Sequence, residues 1–117
     1  HPRFHENRLV YICYVGKNGD PKGSRVSRFK VSDANPPTID LKSEVIIMEW
    51  PSGGHNGGCL QFGKDGYLYI STGDGSNPAP PDKLNTGQDR RGLLASLLPP
   101  DGHRAEPGKR SATPMDN

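Results

Sequence analysis

Glycine and proline interrupt this chain too often for long helices and leave room for short strands joined by turns. There are 15 glycines and 12 prolines among 117 residues, and the AVILMFWYC set supplies only 31%. That composition suits antiparallel β-structure better than a helical bundle. The interruptions are uneven, since eight of the glycines fall between Gly53 and Gly75. Inside that stretch Cys59–Phe62 and Tyr67–Thr72 flank Gly63-Lys64-Asp65-Gly66, and an Asp-Gly step between apolar runs is a strong hairpin signal.

Three further strands are expected upstream. The run RLVYICYV over 8–15 is rich in β-branched and aromatic side chains and stops at Gly16, before the turn-forming Lys17-Asn18-Gly19-Asp20-Pro21. SRVSRFKV over 24–31 puts Val26 and Arg28 on one face and Arg25, Ser27 and Phe29 on the other, as the partner of the first strand in a meander. Residues 32–42, with Asn35, Pro36, Pro37 and two aspartates, are expected to be irregular. SEVIIMEW over 43–50 then reads as a strand that Pro51 ends. After Gly73-Asp74-Gly75 comes a polar loop, SNPAPPDKLNTGQD. Leu93–Leu98 reads as a short helix or strand stopped by Pro99-Pro100, and the tail from Gly102 as irregular. The expected fold class is all-β: antiparallel sheets in one domain over 1–117 with no internal boundary. The strands are too few to close a propeller or a large barrel.

With 15 basic and 13 acidic residues the chain has no electrostatic identity, and nucleic acid is not an expected partner. The longest apolar run, Leu9–Val15, is far too short to cross a bilayer as a helix. Beginning at His1 without a charged-then-apolar leader, the sequence reads as a mature form or a piece of a longer chain. Cys13 and Cys59 form no CxxC or CxxCH spacing and lie in apolar runs, so two buried free thiols are expected rather than a zinc site, with a disulfide left open.

His55 is the histidine with the best setting for chemistry, in a glycine-rich loop between two expected strands, whereas His1, His5 and His103 lie in end segments. An imidazole on a loop held by strands can serve as a general base. It can equally be a turn residue bonded to its own backbone. Hairpin geometry returns Asp74 to the same sheet edge, where a carboxylate would fix the imidazole tautomer. Capping a tight Gly-Asp-Gly turn is the plainer role for it. No GxxxxGK[ST], and no GxGxxG opening a helix, points to nucleotide binding. Asp74-Gly75-Ser76-Asn77 lacks the further ligands of a calcium loop, and no histidine pair has metal spacing. Arg90, Arg91, Arg104, Lys109 and Arg110 read as solvated surface, and Tyr67 with Tyr69 as packing residues.

His55-Asn56-Gly57-Gly58, then Leu60, Phe62-Gly63, Asp65-Gly66-Tyr67-Leu68-Tyr69-Ile70 and Gly73-Asp74-Gly75, resemble the signature of the soluble quinoprotein glucose and sorbosone dehydrogenase family. Those proteins are six-bladed β-propellers. HPRFHENRLVYICYV resembles the family's His-Pro-x-Phe opening of a strand, SRVSRFKVS the next strand, and TGQD with EPGKRSATPMDN the linker that follows. The resemblance implies about two blades of an incomplete propeller. It further implies an aldose C1 hydroxyl oxidised to the lactone, with the residue matching His55 as base and that matching Asp74 orienting it.

Pyrroloquinoline quinone (PQQ) and Ca2+ are the implied cofactors, with their ligands expected in blades beyond this chain. A sugar substrate, an external electron acceptor and a periplasmic or secreted location are implied as well. Gly54 stands where some members carry Asp, so one polar contact is expected to be missing, and RRGLLASLLPPD over 90–101 departs from the family's usual strand. A second reading keeps the fold without the chemistry, as a propeller binding proteins or glycans or as part of a larger haem-containing protein.

Overall fold

The computed structural model describes residues 1–17, 23–77 and the backbone of 97–98. The elements run α1 (Phe4–Asn7), β1 (Leu9–Val15), β2 (Ser24–Val31), β3 (Ile39–Trp50), β4 (Gly57–Phe62), β5 (Leu68–Thr72) and β6 (Leu97–Leu98). They form two antiparallel sheets in the orders β1-β2-β3 and β4-β5-β6, nearly all-β as expected and in keeping with part of a β-propeller. The polar loop from Pro78 to Asp89, residues 93–96 and the tail from Gly102 lie outside the described residues.

β1 and β2 pair one to one from Leu9↔Lys30 to Val15↔Ser24. The two faces of β2 divide as its alternation indicates, but both are covered: Val26 is buried on one side, Ser27 and Phe29 on the other. β3 begins four residues earlier than expected. Asp40 and Lys42 do not exclude a strand there because β3 is an edge strand whose polar side chains reach solvent. Its register with β2 slips twice, between Val26 and Ser27 and between Arg28 and Lys30. At the second slip the Ser43 hydroxyl fills the gap in the ladder, accepting from the Lys30 N–H at 2.7 Å and donating to the Asp40 carbonyl at 2.6 Å.

Tyr67 closes the β4–β5 turn rather than opening β5. Gly63 N–H donates to its carbonyl at 2.8 Å, and Asp65 accepts both the Tyr67 N–H and the Tyr69 hydroxyl. Leu97–Leu98 resolves the helix-or-strand alternative at those two residues, pairing with Ile70 and Ser71.

The sheets stack face to face. Val26, Met48 and Trp50 meet Leu68 and Ile70, with Tyr11, Cys13, Leu60 and Phe62 around them, and this apolar contact is the main force joining the sheets. The single turn α1 was not foreseen. Arg8 ends it in the left-handed region, with φ 57°, and stacks its guanidinium 4.8 Å over the Phe4 ring. The expectation of two buried thiols is corrected. Cys13 is half-buried, with its thiol pushed up by burial, whereas Cys59 is exposed, because β4 turns alternate residues outward and Cys59 is among them. Both are free.

The outward face of the first sheet carries a polar network with a pH consequence. The Tyr14 hydroxyl donates to Glu44 and, with Ser27, holds that carboxyl below its usual value, while Arg25 stacks over the Tyr14 ring and pairs with Glu49. A carboxyl depressed in the folded state contributes stability that is present above its unfolded pKa and is lost as pH falls through the folded one. Tyr14→Phe should therefore raise the Glu44 titration midpoint, followed by carboxyl NMR, toward that of an ordinary glutamate. An unmoved midpoint would contradict the assignment.

Candidate functional site

Pro51 ends β3, and the chain then folds back at once, because the Asn56 side chain ties the loop to itself. Its Oδ1 accepts the Gly53 N–H at 2.7 Å and its Nδ2 donates to the Gly53 carbonyl at 3.0 Å. His55 sits inside that closed loop. The loop backbone then pairs with the segment after β5: His55 N–H donates to the Ser76 carbonyl at 2.9 Å, Gly75 N–H to the His55 carbonyl at 3.0 Å, and Gly73 N–H to the Asn56 carbonyl at 3.0 Å.

Close approach explains the glycines. A Cβ on Gly73 would run into the His55 carbonyl oxygen, and one on Gly53 into that of Gly75. The Gly54 departure has the same cause, since a side chain there would meet the Ser76 carbonyl. This backbone has no room for an aspartate before His55.

The pairing sets His55 beside Asp74, with Nδ1 3.0 Å from the carboxylate Oδ1. The same oxygen accepts the Ser76 N–H at 2.9 Å, so Asp74 caps its turn and meets the imidazole with one atom. An oxygen placed as acceptor to both groups requires a proton on Nδ1, which in the neutral ring leaves the Nε2 lone pair as the free acceptor. The His55 side chain is 41% exposed and that of Asp74 16%. The histidine is thus not a turn residue bonded to its own backbone, because its ring bond crosses to the neighbouring segment.

Sequence reasoning missed two supporting residues. Asn56 closes the loop, and Trp50, 1% exposed, donates its indole N–H to the Asn56 carbonyl at 3.0 Å. The Asn-Gly step was a visible turn signal for the first, but nothing in the sequence announced the second.

Calcium does not fit what is described. No group of three or more His, Cys, Asp or Glu side chains is placed to hold a metal among the described residues, and the Asp74 Oδ1 is already engaged by His55 and Ser76. A quinone bearing carboxylates would need cationic or N–H donors, and here it would meet one imidazole beside an anion. Among the described residues the pair offers a group that can take a proton, and they supply no cradle for a quinone.

Two stacked antiparallel sheets, with a histidine–carboxylate pair set at the end of the second, define a section of a β-propeller. This chain belongs to the glucose/sorbosone dehydrogenase family, whose family model matches residues 1–106. Among curated relatives, Hedgehog-interacting protein of Homo sapiens is 35% identical over 83 residues, 64% of this chain and 12% of that protein. HIPL1 protein of Arabidopsis thaliana is 33% identical over 69 residues, 59% of this chain and 9% of its own length. An uncharacterised protein of Synechocystis sp. is 37% identical over 78 residues, 67% of this chain and 19% of its own. The chain therefore spans a small part of the length of the curated relatives it matches.

Proposed function

We propose that this chain carries the proton-accepting half of the site of a sugar dehydrogenase, which oxidises the C1 hydroxyl of an aldose to the lactone. The observation that carries the reading is the His55–Asp74 contact, which orients an accessible imidazole with Nε2 as its free acceptor. In the reaction His55 Nε2 takes the hydroxyl proton, and Asp74 holds the ring and balances the charge of the imidazolium that forms. Family membership supports pyrroloquinoline quinone with calcium as the cofactor pair, and when bound the quinone would supply the hydride acceptor. Its ligands, the external electron acceptor and a periplasmic or secreted location belong to the same proposal. No helix among the described residues is long and apolar enough to cross a membrane.

The test is to titrate the full-length protein with quinone and calcium and then add aldoses while following quinone absorbance. Saturable binding followed by aldose-dependent reduction is expected. A protein that binds no quinone and reduces none sinks the reading. A non-catalytic propeller is the second reading, favoured by the relatives named Hedgehog-interacting protein. On that reading the function is recognition of a protein ligand, and the same preparation would be silent toward every aldose.

A further inference from the structure

We propose that Asn56 is a positioning residue: its side-chain amide, bonded to both backbone groups of Gly53, fixes the loop so that the His55 ring meets Asp74. The inference rests on the base role proposed for His55. Among the described residues that ring makes one hydrogen bond, to Asp74, and 41% of the side chain is exposed. Its aim must come from the backbone that carries it. That backbone pairs with Ser76 and Gly75 through the N–H and carbonyl of His55 itself, and the loop that presents those groups is closed by one side chain, that of Asn56.

The Asn56 amide accepts from Gly53 N–H at 2.7 Å and donates to Gly53 O at 3.0 Å, closing a ring around positions 54 and 55. The Ser24 hydroxyl, buried in β2, donates to the same Oδ1 at 3.4 Å. The Asn56 carbonyl accepts the Trp50 indole N–H and the Gly73 N–H, each at 3.0 Å. Asn56 thus joins the histidine loop to the sheet contact on one side and to the segment bearing Asp74 on the other.

The chemistry selects asparagine. Aspartate keeps the acceptor but has no donor for Gly53 O, serine is too short to reach both groups, and glutamine adds a methylene that displaces the amide. A misplacement of about 1 Å at a reacting group costs on the order of 100-fold in rate, so a loosened loop should be read in turnover rather than in substrate binding.

The experiment uses the full-length protein, with the imidazole nitrogens of His55 followed by 15N NMR and kcat and KM measured for an aldose. Wild type should show one tautomer protonated at Nδ1. Asn56→Ala should show a mixture, with kcat lowered about tenfold or more and KM changed less than twofold. Asn56→Asp should lie between the two, and it decides the matter alone if the alanine variant does not fold. A folded variant with an unchanged tautomer overturns the proposal, whether or not kcat has fallen. The tautomer is read without substrate, so a wild type that oxidises no aldose removes the base role of His55 while the NMR still decides for or against Asn56.

Discussion

His55→Ala in the full-length protein is expected to lower aldose oxidation about 100-fold or more, the usual scale for loss of a general base, and to leave quinone binding largely intact. The acid limb of the pH–rate profile should vanish with it, because the group whose neutral form accepts the proton is gone. Asp74→Asn should cost less, about tenfold. Oδ1 already accepts the Ser76 N–H, so a flipped amide would set NH2 against that donor. The oxygen therefore stays toward the ring and the tautomer is kept. What is lost is the difference between a charged and a neutral acceptor, about 1.4 kcal/mol. Unchanged turnover in His55→Ala would reject the base assignment. An Asp74→Asn loss as large as that of His55→Ala would contradict this account of the amide's orientation and of the small worth of the charge.

Trp50→Ala should be the most damaging change to stability. The side chain is 1% exposed, lies in the apolar contact between the two sheets, and donates to the Asn56 carbonyl. Truncating a buried aromatic of this size costs about 3–5 kcal/mol, which a denaturation midpoint in the full-length protein would show directly. Trp50→Phe separates the two contributions, since it keeps most of the packing and gives up only the indole donor, worth about 1 kcal/mol. If the phenylalanine variant were as unstable as the alanine one, the hydrogen bond rather than the packing would dominate.

Local signals were readable where a residue's own preference and its place in the fold agree. β2 has the bounds that its pattern indicates, and the Asp-Gly turn joins the strands it was expected to join, because each is governed by neighbours in sequence. Ile39–Lys42 was missed because aspartate and lysine are unfavourable in a covered strand. They are tolerated on an open edge, and whether a strand lies at an edge is a tertiary property. Cys59 was misplaced for a related reason, since period-two alternation gives two faces but does not say which is covered. The His55–Asp74 pairing could be suggested from hairpin geometry, whereas the side chains of Asn56 and Trp50 act by bonding to backbone groups, which have no letter in the sequence.

Where the Gly53–His55 and Gly73–Ser76 segments touch main chain to main chain, no side chain comes between them. The close contacts of the site are therefore moulded by glycine and backbone pairing, with the Asn56 amide and the Asp74 carboxylate bracing the two turns that meet there. Shape and chemistry can be lost separately. Replacing the side chains at 55 and 74 would leave the main-chain bonds from His55 to Ser76 and from Gly75 to His55 available, so the outline can outlast the two groups it presents.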